Sequence, residues 1–167
     1  MCIRDSNISF SVNSSLENRP GFMQWVDVVD GSDGKFSDSN GRYDIVYAKT
    51  KRSQSNTKLR MNIAFNSRMT FEAFYQPFNV DMNYEDYYRL DEQNSFKTSS
   101  FNYSENKNFE INNQRGTFVY RWEYQPGSLL YVVYNLNDNN YYSDQDGEWS
   151  QSKSNSLFLK FDYFFQS

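Results

Sequence analysis

Alternation of side-chain character is the strongest pattern in the chain. It is clearest over residues 115–136, RGTFVYRWEYQPGSLLYVVYNL. Phe118, Tyr120, Trp122 and Tyr124 take every second position, with Thr117, Val119, Arg121 and Glu123 between them. Successive side chains of a strand point to opposite faces, so this spacing predicts one aromatic face and one face carrying an Arg and a Glu. Gln125-Pro126-Gly127-Ser128 predicts a turn, and the residues after it a returning strand.

The same period of two recurs elsewhere. Residues 7–13 set Ile8, Phe10 and Val12 against Asn and Ser. Residues 57–66 set Leu59, Met61, Ile63 and Phe65 against Lys58, Arg60 and Asn62. Asn66-Ser67 predicts a short turn. Residues 68–76 then return with Met69, Phe71, Ala73 and Tyr75 opposite Arg68, Thr70 and Glu72, while Phe74 joins the polar side. Pro77 closes that strand, because proline cannot donate to a ladder. Residues 155–165, NSLFLKFDYFF, from Asn155 onward, place Leu157, Leu159, Phe161, Tyr163 and Phe165 on one face and Phe158, Lys160, Asp162 and Phe164 on the other. Weaker strands are expected over residues 22–29 and 42–51. The total is about eight.

Between these strands lie polar stretches. Pro20-Gly21 predicts a turn, and residues 30–41, DGSDGKFSDSNG, a loop. Residues 78–114 and 137–154 are expected to be long loops, with 108–112 a possible strand extension. Phe109 and Ile111 are odd-numbered while the aromatics after them are even, which predicts a bulge or break near 113–116. Short turns would then alternate with long loops along the last five strands, as in an outer-membrane barrel. Counting further back puts 30–41 at the short-turn end, where it is longer than expected.

The fold class predicted is all-β: an antiparallel up-and-down transmembrane β-barrel, or the C-terminal part of one. Leu59, Met61, Ile63, Phe65, Phe71, Phe118, Tyr120, Trp122, Leu159, Phe161, Tyr163 and Phe165 are expected to face lipid. Arg60, Arg68, Glu72, Arg121, Glu123, Lys160 and Asp162 are expected to face a polar lumen, where opposite charges could form a ladder or line a pore. The alternative is a soluble β-sandwich binding module.

Composition sharpens this picture. Mean hydropathy is −0.88, and no run of 18 apolar residues exists to form a spanning helix. Aromatics make up 19% of the 167 residues, half of the hydrophobic total, a skew that suits membrane-interface girdles. The net charge of −4 argues against a nucleic-acid partner. The sequence has no histidine, so Ser-His-Asp, Cys-His and His-metal chemistry are excluded within it. An outer-membrane barrel enzyme would have to work without them, and no catalytic residue and no cofactor is assigned. Asp30, Asp33 and Asp38, or Asp138, Asp144, Asp146 and Glu148, could offer oxygens to calcium, but neither group has EF-hand spacing, and solvated turns explain them, so no metal is assigned. Tyr84, Tyr87 and Tyr88, beside Glu85, Asp86 and Asp91, could present rings to a sugar or mark the membrane edge.

Residues 42–165 resemble a known family. The most specific pieces are Arg121-Trp122-Glu123-Tyr124, Pro126-Gly127-Ser128 with Leu130-Tyr131-Val132-Val133, and Tyr75-Gln76-Pro77-Phe78. They are similar to the C-terminal barrel of bacterial outer-membrane proteins that carry an N-terminal family-nine-type carbohydrate-binding domain. The resemblance implies an outer-membrane location, a barrel domain of unknown function with further strands upstream, and carbohydrate as a partner of the upstream domain. The last strand, ending in Phe165 before Gln166 and Ser167, resembles the signal read by barrel-assembly machinery. Residues 1–6, MCIRDS, look like a translated sequencing adapter, which would leave 7–167 as the barrel segment.

Overall fold

The computed structural model describes residues 7–165. These form nine strands and no helix: β1 (Asn7–Asp30), β2 (Phe36–Ser37), β3 (Arg42–Asn66), β4 (Met69–Leu90), β5 (Thr98–Ser100), β6 (Phe109–Gln125), β7 (Ser128–Ser143), β8 (Glu148–Lys153) and β9 (Ser156–Asp162). All pairings are antiparallel in one sheet, ordered β1-β3-β4-β6-β7, with β8 and β9 end to end along β7. The sheet is open: among the described residues, β1 is not paired to β8 or β9. A closed barrel is therefore not formed by these strands. A sandwich would need a second sheet, and the described residues make only one.

Several boundaries differ from expectation. Residues 7–30 form one strand, because Pro20-Gly21 makes a bulge and not a turn. Gly21 takes φ +76, and the register against β3 slips by one residue there. One strand fewer at the start moves 31–41 to the opposite end, alongside the other long connections. The alternation of short turns and long connections is then unbroken. Residues 78–90, 113–114 and 137–143 extend strands where loops were expected, while 109–112 do extend the following strand. Their polar side chains did not prevent pairing, since backbone groups make the ladder whatever the side chain. The predicted break near 113–116 is absent. β6 pairs with β4 without a slip from Phe109 to Trp122, and with β7 from Phe109 to Glu123. β9 stops at Asp162, so Tyr163 and Phe165 lie beyond the strand.

Directly paired residues share a face, so the register assigns one throughout. The first face carries Phe10, Met61, Ala73, Phe118, Tyr134 and Leu157 in one row, and Ile8, Ile63, Phe71, Tyr120, Val132 and Leu159 in the next. Nothing covers it. Phe10 is 64% exposed, Phe161 66% and Trp122 40%. Further along the strands the same face turns polar, at Ser55, Asn79, Asn112 and Asn140, then Ser53, Asp81 and Glu110. The second face inverts in the opposite sense. Arg60, Glu72 and Arg121 give way to Val80, Met82, Ile111 and Phe109, then to Thr50, Ala48 and Val46. The unexpected parity of Phe109 and Ile111 is this inversion. At the far tip Met23, Tyr47, Tyr88 and Phe96 return to the first face around a hollow of about 270 Å³.

The β6–β7 turn ties the last strand down. Pro126 fits the first central position of a type II turn, and Gly127 (φ +78) the second. Ser128 is fully buried, and its Oγ accepts the Phe164 N–H at 2.9 Å. A Cβ on Gly127 would sit 3.1 Å from Phe164 Cβ. Gly127→Ala should therefore cost about 1–2 kcal/mol from the left-handed backbone alone. Gly31→Ala, which would meet only an Asp33 carboxylate oxygen at 3.5 Å, should be nearly silent. Urea unfolding of the folded chain measures both, and equal costs would refute this account of the turn.

Candidate functional site

The residues expected to line a lumen gather on the second face near the hairpin end. Arg121 stands between Thr70 and Tyr131, with Lys160 beyond Tyr131. Glu72 stands between Asn62 and Val119, and Arg60 between Ser11 and Phe74. Glu123 and Asp162 flank Leu129 on the same face. Arg68 is different: it lies in the two-residue β3–β4 turn, where its carbonyl accepts the Glu123 N–H at 2.8 Å. Of the residues expected to face lipid, Leu59, Met61, Ile63, Phe71, Phe118, Tyr120, Trp122, Leu159 and Phe161 share the first face. Phe65 falls at a register slip.

The expected ladder of opposite charges does not form. Among these seven side chains the one ion pair is Lys160–Asp162, 2.9 Å apart on a single strand and well exposed. Arg60 instead lies over the Phe74 ring at 5.4 Å, and Lys160 over Tyr131 at 5.8 Å. Glu123 accepts the Gly127 N–H at 2.9 Å. For the strand residues the reason is register: Arg60, Glu72, Arg121, Lys160 and Asp162 have uncharged residues directly opposite, and only Arg68, in its turn, faces an opposite charge, meeting Glu123 through its backbone carbonyl. Arg60, Asn62, Glu72, Phe74 and Thr117 border a shallow, open hollow of about 390 Å³. Its lining brings together charge and an aromatic ring, without a paired nucleophile and base among these residues.

A second cluster sits at the long-connection end, and no sequence pattern marked it. The Tyr103 hydroxyl donates to Asp27 Oδ2 at 2.6 Å, across 76 positions of chain. The Tyr103 ring packs on Tyr87 with centroids 4.9 Å apart. Lys107 Nζ lies 3.6 Å from Asp27 Oδ2 and also pairs with Glu105. Asp27 and Tyr87 lie on the second face, in line with Val46 and Ala48. Burial, and then the bond to Asp27, push the Tyr103 hydroxyl up to about 12. Lys107 is raised, chiefly by its hydrogen bond to Glu105. Asp27 is held below the usual carboxylate range, first by Tyr103 and also by the Val28 N–H and Lys107, against the opposing effect of its burial.

The acidic loops act as turn acceptors. Asp38 accepts the N–H groups of Asn40 and Gly41, Asp44 that of Lys35, and Asp144 the side-chain amides of Asn106 and Asn108. Among the described residues no three acidic or sulfur ligands converge as a metal would require. The three tyrosines do not form one surface. Tyr84 and Tyr87 lie on the second face, while Tyr88 is on the first, under Lys49.

An all-β protein of one open antiparallel sheet, with one apolar face uncovered, is the class these features define. The chain belongs to the family described as Domain of unknown function (DUF5916), matched over residues 5–166. The family is uncharacterised. No curated protein and no solved structure matches the chain. The adapter-like stretch 1–6 lies outside the described residues.

Asp27 supplies a pH test. Its pKa is lowered in the folded protein, so its contribution is fully present above about pH 4 and is lost as pH falls through the lower native value. The tyrosine dichroism that depends on Tyr103, taken as the difference from Tyr103→Phe, should fade on acidification below pH 4. In Asp27→Asn the same signal should not respond to acid.

Proposed function

We propose that this chain is the C-terminal segment of a bacterial outer-membrane β-barrel, serving as anchor or solute conduit of a surface carbohydrate-handling protein. The observation that carries the proposal is the double inversion along the strands. Where the first face is oily the second is charged, and past Pro77 and Gln114 the first becomes polar while the second becomes apolar. A sheet crossing from lipid into water around a wet lumen needs this exchange. Within the bilayer the outer face must be apolar and the inner face may be wet, and beyond it the outer face meets water and a packed core can form inside. The apolar band runs about seven residues per strand, or roughly 23 Å at ~3.3 Å per residue, close to the ~25 Å band of such barrels. Strands of up to 25 residues would then project well past the bilayer.

Further support comes from the connections. Ser67-Arg68 and Pro126-Gly127 are tight and share one end, as periplasmic turns do, while the long connections share the other, as extracellular loops do. On this reading Asn155–Phe165 is the segment offered to the barrel-assembly machinery, and the carbohydrate partner belongs to an upstream domain. An enzymatic role has no constellation of side chains to support it.

Two measurements test the proposal. Phe161→Arg should destabilise the folded form in lipid by about 2–4 kcal/mol if residue 161 lies near the midplane. Lys160→Gln removes only an exposed, solvent-screened ion pair and should be nearly silent. Equal effects in a lipid-vesicle unfolding assay would sink the facing. Reconstituted full-length protein should also pass ions or swell liposomes if it is a conduit, and silence would leave the anchor role alone.

A further inference from the structure

The connection between β5 and β6 crosses the second face of the sheet. Its residues 101–108 take no regular structure but are fastened at both ends. The Phe101 N–H donates to the Tyr87 carbonyl at 2.9 Å, and the Tyr84 N–H donates to Asn108 Oδ1 at 2.7 Å. Between these anchors Tyr103 rests on Tyr87 of β4 and reaches Asp27 of β1. β3 lies between those strands, so the bridge spans roughly 10 Å at ~4.8 Å per strand. Beneath it, Val46, Ala48 and Thr50 are 0% exposed, in a sheet whose other regions are mostly open on both faces. Small side chains at 46, 48 and 50 leave room for a covering layer. Lys107 and Glu105 complete it, with Lys107 Nζ also donating to Gln145 Oε1 at 3.1 Å beside the β7–β8 turn.

The face that is crossed decides the consequence. β3 has no bulge of its own between Arg60 and Val46, so strict alternation puts both on the same side. We infer that residues 101–108 are a strap folded into the barrel mouth, and that Tyr103, Glu105 and Lys107 form the constriction that sets what passes. This rests on the conduit reading above. A strap fixed by a tyrosine hydroxyl hydrogen-bonded to a carboxylate and by a hydrogen bond to β4 backbone at each end is a built constriction, unlike an exposed loop free to swing outward. It also gathers one cation and two carboxylates, Lys107 with Asp27 and Glu105, at the strap, where charge would act on a passing solute once the wall is closed.

Two experiments on the full-length protein separate the strap from the conduit. In planar bilayers, replacing residues 101–107 with a Gly-Ser segment of equal length should raise single-channel conductance at least two-fold. It should also open a current if the wild type is silent. Equal, non-zero conductance with and without the strap overturns the constriction and leaves the conduit standing. Silence from both overturns the conduit and the constriction with it. Limited trypsin digestion tests the docking without reference to current. Cleavage should occur after the exposed Lys97 but not after Lys107, and Tyr103→Ala should open Lys107 to the protease. Cleavage after Lys107 in the wild type as readily as after Lys97 overturns the strap.

Discussion

A single sheet has two faces, and each must meet something that suits it. In this protein that requirement governs everything else. Rows such as Phe10, Met61, Phe118 and Leu157 are oily and uncovered by any second layer. Contiguous apolar surface on this scale is rare on a face that meets water, and calls for a covering partner or medium. The opposite face at the same height carries Arg60, Glu72, Arg121 and Lys160, and it cannot turn toward the same oil. A boundary with lipid on one side and water on the other satisfies both faces at once. Further along the strands the two faces exchange character, and on the proposed reading that exchange marks where such a boundary would end.

Much of this was legible in the sequence because a strand writes its environment at every second position. Phe118, Tyr120 and Trp122 against Val119 and Arg121 announced two faces, and the register places those residues on them. Less was legible where both environments are mixed. Asn79, Val80, Asp81 and Met82 alternate as cleanly as any strand, but their polar content suggested a loop. They are a strand in its second environment, with Val80 and Met82 buried and Asn79 and Asp81 turned out. The odd parity of Phe109 and Ile111 had the same origin. A bulge accounts for a change of parity as well as a change of medium does, and sequence alone does not separate them.

Pro20-Gly21 shows the converse ambiguity. A proline followed by a glycine with positive φ fits a turn and also fits a bulge, and local chemistry does not distinguish the two. The choice was settled by β3, whose 25 residues offer β1 a continuous partner. Contacts between distant residues lay beyond any local pattern. Nothing near Asp27 points to Tyr103, and nothing in the polar run around Tyr103 marks it as the residue that covers Val46 and Ala48. The charges at Arg60, Glu72 and Arg121 share the second face, where their positions across the strands leave them without the ion pairs a ladder of opposite charges would have made.

The open edges carry the last step. Among the described residues β1 presents an unpaired edge along 24 residues, and β8 with β9 another. In the apolar band those edges would place backbone N–H and C=O groups in hydrocarbon at several kcal/mol each, which is why only closed sheets span membranes. A membrane role therefore requires both edges to be met by further strands, from the same protein or from another copy. Closure also defines the second face. On an open sheet Arg60 and Glu72 are surface charges facing bulk water, but once the wall closes they share a confined aqueous space with Tyr103 and Lys107 above them. The unpaired state of those charges then has a physical sense. Side chains that have not neutralised one another remain available to whatever solute or water fills the lumen.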